Sequence, residues 1–410
     1  MFAGSGRQRG WGIAGESILR VAVAGAGAFG RNHLRVYREL ETAGQGVALA
    51  AAVEPDAARA AEAAAQYAIP VFASVDELLA ADLKLNAATV AVPTVHHHAV
   101  AAALLDAGLD LLVEKPLAAT LAEADDLIAI ADKGKRILQP GHLERFNPAV
   151  LAIQPQLKRP MFFEAHRLSI FTPRSLDVDV VLDLMIHDLD IVLTFANSAV
   201  REVRAVGLPI LSPKVDIANV RVEFESGCVA NFTASRVSTE RVRKLRFFEP
   251  RQYVSIDYAR QDLLVIRVDG GAAKASPADL IAALPPHVAA LLPPGIAEGI
   301  ASGKIDLKKI DPAMIAQFAA MAKIDPAVIA QLVSPEASKA GLSFSKPEVT
   351  PGEPLRLEIQ SFLDAVRSRQ QPRVTARQGR NALALALEIQ AAMEAHAHRA
   401  GLDDFFSPGA

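Results

Sequence analysis

Short apolar runs alternate with amphipathic segments over the first third of the chain. An apolar, β-branched run bounded by turn residues indicates a buried strand, and apolar residues three or four positions apart indicate a helix. The predicted strands are 21–24, 47–53, 71–72, 87–92, 109–113 and 136–138. The segments between them, 57–67, 75–80, 97–107 and 121–133, are compatible with helices. Such alternation predicts an α/β domain with a parallel sheet that helices cover.

The pattern changes after about residue 143, where the predicted strands become longer and turn residues separate them. These strands are 161–170, 200–209, 218–224, 228–235, 245–248, 253–257 and 263–268. Turns such as Glu225-Ser226-Gly227 indicate hairpins. We therefore expect a second, α+β domain with a large, mostly antiparallel open sheet.

The domain boundaries follow from these changes of pattern. We assign 1–17 to an extension, 18–143 to the first domain, 144–269 with 344–398 to the second, and 399–410 to a tail. The range 270–343 is predicted to be a helical insertion, because Lys309–Gln317 recurs as Lys323–Gln331 and each copy has Asp-Pro at a helix start. Apolar stripes favour a packing or oligomer surface for it.

Composition narrows the possible functions. The 410 residues include 43 basic and 46 acidic side chains, so no basic excess points to nucleic acid or an anionic membrane. No apolar run reaches the ~18 residues of a membrane helix. The single cysteine, Cys228, excludes an internal disulfide framework and fits a buried thiol better than a nucleophile. We expect a cytoplasmic protein.

The first predicted strand runs directly into the turn Gly25-Ala26-Gly27-Ala28-Phe29-Gly30, and a predicted helix follows. Glycines at these spacings permit a tight turn and let a pyrophosphate approach the backbone N–H groups at the helix start. Glu54 ends the second strand, where its carboxylate can accept hydrogen bonds from the adenosine ribose. This predicts a dinucleotide site that prefers NAD to NADP; the alternative is a plain strand–helix turn.

Two further strand ends carry candidate residues: Pro93-Thr94 with His97 nearby, and Glu114-Lys115-Pro116. Ligands bind at the carboxyl ends of parallel strands. Together with the glycine turn, these motifs resemble the glucose–fructose oxidoreductase/inositol dehydrogenase family over about residues 18–268 and 344–395. The resemblance implies that Glu114 and Lys115 hold the nicotinamide ribose and bring the lysine to the reacting carbon. It also places His97 near the cofactor; the alternative for Lys115 is a solvated loop lysine.

The run His96-His97-His98 does not predict a metal site. Consecutive helical residues point about 100° apart and cannot converge on one ion. We therefore expect no metal.

A polar stripe interrupts the apolar segment 177–193. At 3.6 residues per turn, its members fall on one side of a helix; they are Asp179, Asp183, His187 and Asp190. Three interpretations remain: a metal site, a self-satisfied structural network, or a general acid/base His187 that Asp183 orients. The family's D-x-G-x-H motif matches Asp183 and His187, with Met185 where the family often has glycine, and this favours the third interpretation.

The segments 141–148, 177–193 and 214–219 resemble the UDP-N-acetylglucosamine 3-dehydrogenase subgroup of that family. The resemblance implies oxidation of the sugar 3-hydroxyl to a ketone, which a pyridoxal-phosphate aminotransferase converts to an amine for lipid A. Arginines that follow or flank the predicted sheet ends are candidates for holding the diphosphate. The predicted substrate-binding residues are Arg145, Asn147, Arg167, Arg174 and His187.

Other functions in the family remain alternatives. They are an inositol or other free-sugar dehydrogenase, an NAD-retaining glycosidase of the same fold, and a non-catalytic NAD-binding sensor. Net NADH formation would separate the dehydrogenases from the last two. The resemblance also implies a homodimer or homotetramer that forms through the open sheet.

Overall fold

The computed structural model of the chain describes residues 18–171, 178–212, 214–268 and 342–402. It divides into two units. Of the described residues, the first holds 18–141 and 355–380, and the second holds the remainder. The predicted extension 1–17, Arg174 and most of the predicted insertion and tail lie outside the described residues.

The first unit contains a six-stranded parallel sheet in the order β3-β2-β1-β4-β5-β6. Its strands are β1 (Leu19–Ala24), β2 (Val47–Val53), β3 (Val71–Phe72), β4 (Ala87–Val90), β5 (Asp110–Glu114) and β6 (Leu138–Gly141). Its helices include α1 (Ala28–Thr42), α2 (Ala57–Tyr67), α3 (Val75–Ala80), α4 (His97–Asp106) and α5 (Leu121–Gly134). The strand order reverses between β1 and β4, the position at which such sheets bind dinucleotides.

Local signals explain where these helices begin. Asp56 and Ser74 are side-chain caps of α2 and α3. Thr120 and Glu123 form a reciprocal capping box at the start of α5. Each cap satisfies backbone N–H groups that have no partner inside the helix.

Helix α8 (Pro354–Ser368) corrects the predicted domain boundaries. We assigned all of 344–398 to the second domain, but residues 355–380 belong to the first unit. The buried side chains of Ile359 and Phe362 join the core of that unit. In addition, Arg356 forms an ion pair with Glu39 of α1 at 2.5 Å. The assignment was wrong because an amphipathic pattern shows that a helix has an apolar face, not which core receives it.

The second unit contains an eight-stranded sheet in the order β14-β13-β12-β11-β7-β10-β9-β8. The strands are β7 (Phe162–Ile170), β8 (Val200–Leu208), β9 (Ile217–Phe224), β10 (Val229–Ser238), β11 (Val242–Glu249), β12 (Gln252–Asp257), β13 (Asp262–Val268) and β14 (Leu342–Ser345). Only β7 and β10 pair in parallel among these described strands. The predicted mostly antiparallel sheet is thus confirmed, although β14 begins two residues inside the predicted insertion.

Helices cover one face of this sheet. They are α6 (Pro148–Ile153), α7 (Ile186–Ala196) and the part of α9 (Ala376–Arg399) that follows residue 380. Phe163 and Phe247 of the sheet share a core with Leu189 of α7 and Ile389 of α9. Cys228 also lies in this core, and burial raises the pKa of its thiol to about 11. The thiol is therefore protonated near neutral pH.

The opposite face carries aromatic and aliphatic side chains that the described residues leave partly open. Phe248 lies between Phe162 and Tyr253, with ring centroids 5.5 and 5.1 Å away. Ile170 and Leu264 are 44% and 37% exposed. Within the described ranges, no helix combines the length and apolar composition needed to cross a membrane.

Candidate active site

The glycine turn after β1 is tightly packed at its first and last glycines but leaves open space at Gly27. Gly25 has a φ of +97°, and a Cβ added there would lie 2.6 Å from the Ala91 carbonyl oxygen. A Cβ at Gly30 would lie 1.8 Å from the Gly25 oxygen, whereas one at Gly27 would meet nothing within 4 Å. Helix α1 begins with no side-chain cap and no acidic residue in its first turn. Its N–H groups and the space at Gly27 therefore suit a pyrophosphate.

Glu54, at the end of β2, is held beneath this turn. Its Oε2 accepts a hydrogen bond from the Ala26 N–H at 2.9 Å, and its Oε1 accepts from the Asp56 N–H at 3.0 Å and from Arg59 Nη2 at 2.9 Å. Burial raises the pKa of Glu54, but these donors outweigh burial and lower it overall. Glu54 is thus an ionised, fixed acceptor, and the half-exposed Arg59 offsets part of its charge.

His97, the first residue of α4, connects two strand ends. Its Nδ1 lies 2.8 Å from the Pro116 carbonyl oxygen, and its Nε2 lies 2.9 Å from that of Val92. Burial lowers its pKa more than these carbonyls raise it. A neutral imidazole has a single N–H, so it donates to one of the two carbonyls at a time. The histidine thus connects the residue before Pro93 to the turn that contains Lys115.

Glu114 and Lys115 follow β5, and a buried histidine that the sequence analysis missed supports them. His33 Nε2 lies 2.7 Å from Glu114 Oε1. The other carboxylate oxygen accepts from the Lys115 N–H at 3.3 Å. Burial raises the pKa of Glu114, but His33 and the Lys115 charge outweigh burial and lower it. His33 could have been found from its position: it lies three residues after Gly30, on the helix that follows the glycine turn.

The three neighbouring histidines have separate surroundings. His97 is buried, His96 is exposed, and His98 Nε2 lies 2.7 Å from Asp126 Oδ2. Among the described residues, no group of three His, Cys, Asp or Glu side chains could hold a metal ion.

The proposed acid/base residues, Asp183 and His187, lie on either side of the point where a π-helical turn becomes an α-helix. Val181–Met185 is a π-helical turn that contains the half-buried Asp183, and α7 follows with His187, which is 9% exposed. The assumed spacing of 3.6 residues per turn is therefore wrong before Ile186, since a π turn bonds residues five apart. Asp179 does not belong to one stripe with the others: its Oδ1 accepts the N–H groups of Val181 and Leu182.

Arg167, which was expected to face a diphosphate, lies in a buried ionic cluster. Its Nε and Nη2 donate to Asp188 at 2.7 and 3.0 Å, and its Nη1 donates to Glu144 at 3.1 Å. Its guanidinium carbon lies 5.3 Å from the centre of the Tyr258 ring. Arg167 is 4% exposed. Its donors thus hold the residue next to His187 in place, which differs from the predicted role.

Arg145 and Asn147 also have internal partners. Arg145, 2% exposed, lies 3.4 Å from Asp190 and donates to Thr194. Asn147 caps α6 through the Ala149 N–H and donates to the Tyr258 carbonyl oxygen at 3.0 Å. The structure therefore gives both side chains structural contacts in place of an open ligand surface.

The first unit defines a class of protein. It has the sheet order, the open glycine turn and the fixed acidic residue of a dinucleotide-binding domain. The end of β5 adds a lysine. These features fit NAD, and they indicate an oxidoreductase.

Comparisons with known proteins identify the family. Residues 19–142 match the model described as the oxidoreductase family with an NAD-binding Rossmann fold, and 150–251 match the GFO/IDH/MocA C-terminal domain. The chain belongs to the Gfo/Idh/MocA family, as its motifs predicted, and is an NAD-dependent oxidoreductase that acts on a CH–OH group. The predicted fold class and cofactor are likewise confirmed.

Two named relatives illustrate these matches. The chain is 38% identical to a UDP-N-acetylglucosamine 3-dehydrogenase of Acidithiobacillus ferrooxidans over 62% of this chain and 78% of that protein. A solved structure of that enzyme covers 92% of this chain, with 98% of its own chain matched and a TM-score of 0.71. An inositol 2-dehydrogenase of Leifsonia xyli is 33% identical over 45% of this chain, which spans 56% of that relative.

Proposed function

We propose that this chain uses NAD to oxidise the 3-hydroxyl of UDP-N-acetylglucosamine to a ketone. The observation that carries the proposal is the similarity to the Acidithiobacillus ferrooxidans enzyme, which extends over 78% of that protein. Inositol is the second candidate substrate, because an inositol 2-dehydrogenase also matches, although over 56% of its length.

The described residues suit the steps that such an oxidation requires. NAD, when bound, accepts a hydride from the carbon that carries the hydroxyl. We assign removal of the hydroxyl proton to His187 and its orientation to Asp183. Glu114, which His33 holds in place, and the half-buried Lys115 are assigned to the nicotinamide ribose and the reacting carbon.

A panel of substrates with NAD tests the proposal. It contains UDP-N-acetylglucosamine, other UDP-sugars, free N-acetylglucosamine and inositol, and NADH absorbance reports oxidation. We expect NADH from UDP-N-acetylglucosamine, much faster than from the free sugar, and a 3-keto product by NMR. A ketone at C4 or equal rates on the free sugar would contradict the substrate. Release of free sugar without net NADH would indicate a glycosidase, and binding without turnover a sensor.

The proposed product also suggests which class of enzyme acts after this one. A 3-keto nucleotide sugar is a substrate for a pyridoxal-phosphate aminotransferase, and we propose that such an enzyme consumes it in the cytoplasm on the way to lipid A. Coupled formation of a 3-amino sugar, when an aminotransferase and an amino donor are added, would support this order.

We further propose that the open sheet face, defined by Phe162, Phe248, Tyr253, Ile170 and Leu264, is the contact between subunits of a homodimer or homotetramer. Its aromatic and aliphatic side chains remain partly exposed among the described residues. Phe248→Glu should lower the mass measured by light scattering. An unchanged mass would exclude this face.

A further inference from the structure

Arg145 and Arg167, two of the arginines expected to bind a diphosphate, have buried carboxylate partners. A nucleotide-sugar substrate would therefore need a cation other than these two. Arg243, near the start of β11, is a solvent-accessible arginine in the second unit, although part of its side chain is buried. Of the residues that the structure describes, none forms a hydrogen bond or ion pair with its guanidinium. Its five N–H donors are therefore available to a ligand.

Strand register places Arg243 on the helix-covered face of the sheet. Arg243 pairs with Arg167 of β7, just as Leu245 pairs with Ala165 and Phe247 with Phe163. The last four of these residues are all buried against the helices. Because paired residues and residues two apart on a strand share a face, Arg243 continues this row at its exposed end.

The neighbours of Arg243 connect it to the helix that carries His187. Its carbonyl oxygen accepts the Tyr258 N–H at 3.0 Å. Arg167, on its other side, lies over the Tyr258 ring and binds Asp188, the residue after His187. Arg243 thus lies between two residues of the buried cluster that fixes α7.

The charges around Arg243 favour an anionic ligand. Burial lowers the pKa of Arg243, and the positive charges of Arg167 and Arg241 lower it further, while Glu144 and Asp188 raise it. Those two carboxylates already bind Arg167 directly. A bound anion would therefore meet an arginine whose donors are unused.

We propose that Arg243 binds the diphosphate of the nucleotide-sugar substrate. This inference rests on the proposed function. A planar guanidinium can donate two parallel hydrogen bonds to phosphate oxygens, which a lysine cannot reproduce.

The test compares Arg243→Ala and Arg243→Lys with Arg251→Ala. Arg251 follows the far end of β11, about 25 Å along the strand from Arg243, so this control removes the same charge elsewhere. UDP alone is the probe, titrated calorimetrically, and the KM for UDP-N-acetylglucosamine is measured alongside.

We expect Arg243→Ala to weaken UDP binding and raise KM by about tenfold to a hundredfold. Arg243→Lys should recover part of the loss, Arg251→Ala should match the wild type, and NAD affinity should not change. If the wild type binds UDP and Arg243→Ala binds it equally well, the inference is overturned and the proposed function stands. If the wild type does not bind UDP, the proposed function fails, and this inference fails with it.

Discussion

Lys115 and His187 carry the proposed chemistry, and neither belongs to the glycine turn. We expect Lys115→Ala and His187→Ala each to lower turnover by about 10²–10⁴-fold, because a general acid or base contributes on that scale. NAD affinity should change far less, as calorimetry would show. Lys84→Ala is a matched control, since Lys84 is 75% exposed and pairs only with Asp82 among described residues. Near-normal turnover in either variant would remove that residue from the mechanism.

We expect Arg59 to set how strongly the site discriminates between NAD and NADP. The Glu54 carboxylate would repel a 2′-phosphate, but Arg59 offsets this charge and is itself 48% exposed. We expect NAD to be preferred, and Arg59→Ala to weaken NADP binding about tenfold with little change for NAD, as loss of a charge-assisted hydrogen bond predicts. Titration calorimetry with both cofactors measures this.

The control for Arg59 removes a comparable charge from α1. Arg35 is 40% exposed and pairs with Glu39. Arg35→Ala should leave both affinities unchanged. Equal NADP affinity in Arg59→Ala and the wild type would show that Arg59 takes no part in the discrimination.

At the level of elements, apolar periodicity predicted most of the regular structure. The predicted bounds of β2, β3, α2 and α3 agree with the structure, because turn residues bound each run. Strand β6 was predicted at 136–138 but lies at Leu138–Gly141. Pro140 and Gly141 are typical turn residues, yet both pair with β5. Pairing with a neighbouring strand is a long-range effect that local sequence cannot show.

The site was less predictable than the elements. Glycine spacing and the strand ends predicted candidate cofactor residues, since that prediction depends only on local sequence. The role of Arg167 could not be predicted, because its partners Glu144 and Asp188 come from different parts of the chain. The π-helical turn at Val181–Met185 could not be predicted either, because the same sequence pattern also fits an α-helix.

The cluster of Arg167, Glu144 and Asp188 joins β7, α7 and the turn before α6, and its loss should destabilise the second unit. Asp188→Ala leaves Arg167 without its bidentate partner. We expect this to lower the free energy of unfolding by about 3–5 kcal/mol. Arg167→Met combined with Asp188→Leu should recover part of that loss, because the cluster then contains no arginine without a partner and Glu144 still accepts a hydrogen bond from Asn147. Urea-induced unfolding followed by circular dichroism measures each change.

A matched control for this prediction is Asp364→Ala, which breaks a more exposed pair with Arg367 on α8. Exposed ion pairs contribute about 0–1 kcal/mol to the free energy of unfolding. If Asp188→Ala costs no more than Asp364→Ala, the cluster does not stabilise the unit.

For the whole molecule, sequence predicted two domains and the family but misassigned α8. The chain leaves the first unit at residue 141 and returns to it at 355, and only tertiary contacts reveal that return. Ile359 and Phe362 would fit either core by composition. The ion pair of Arg356 with Glu39 is also between residues far apart in sequence.

The return of the chain to the second sheet gives a last prediction. Val268 of β13 pairs with Leu342 of β14 in an antiparallel register, so the two residues that flank the segment 269–341 are adjacent. Replacing that segment with Asn-Gly should preserve the fold and NAD binding, because a two-residue turn suits such a pair and loop length affects closure entropy only slowly. Calorimetry with NAD and light scattering measure the outcome. We expect wild-type NAD affinity with a changed oligomeric mass, as an oligomer surface in this segment predicts. An insoluble product would mean that the sheet needs the segment, and an unchanged mass would mean that the segment does not contribute to assembly.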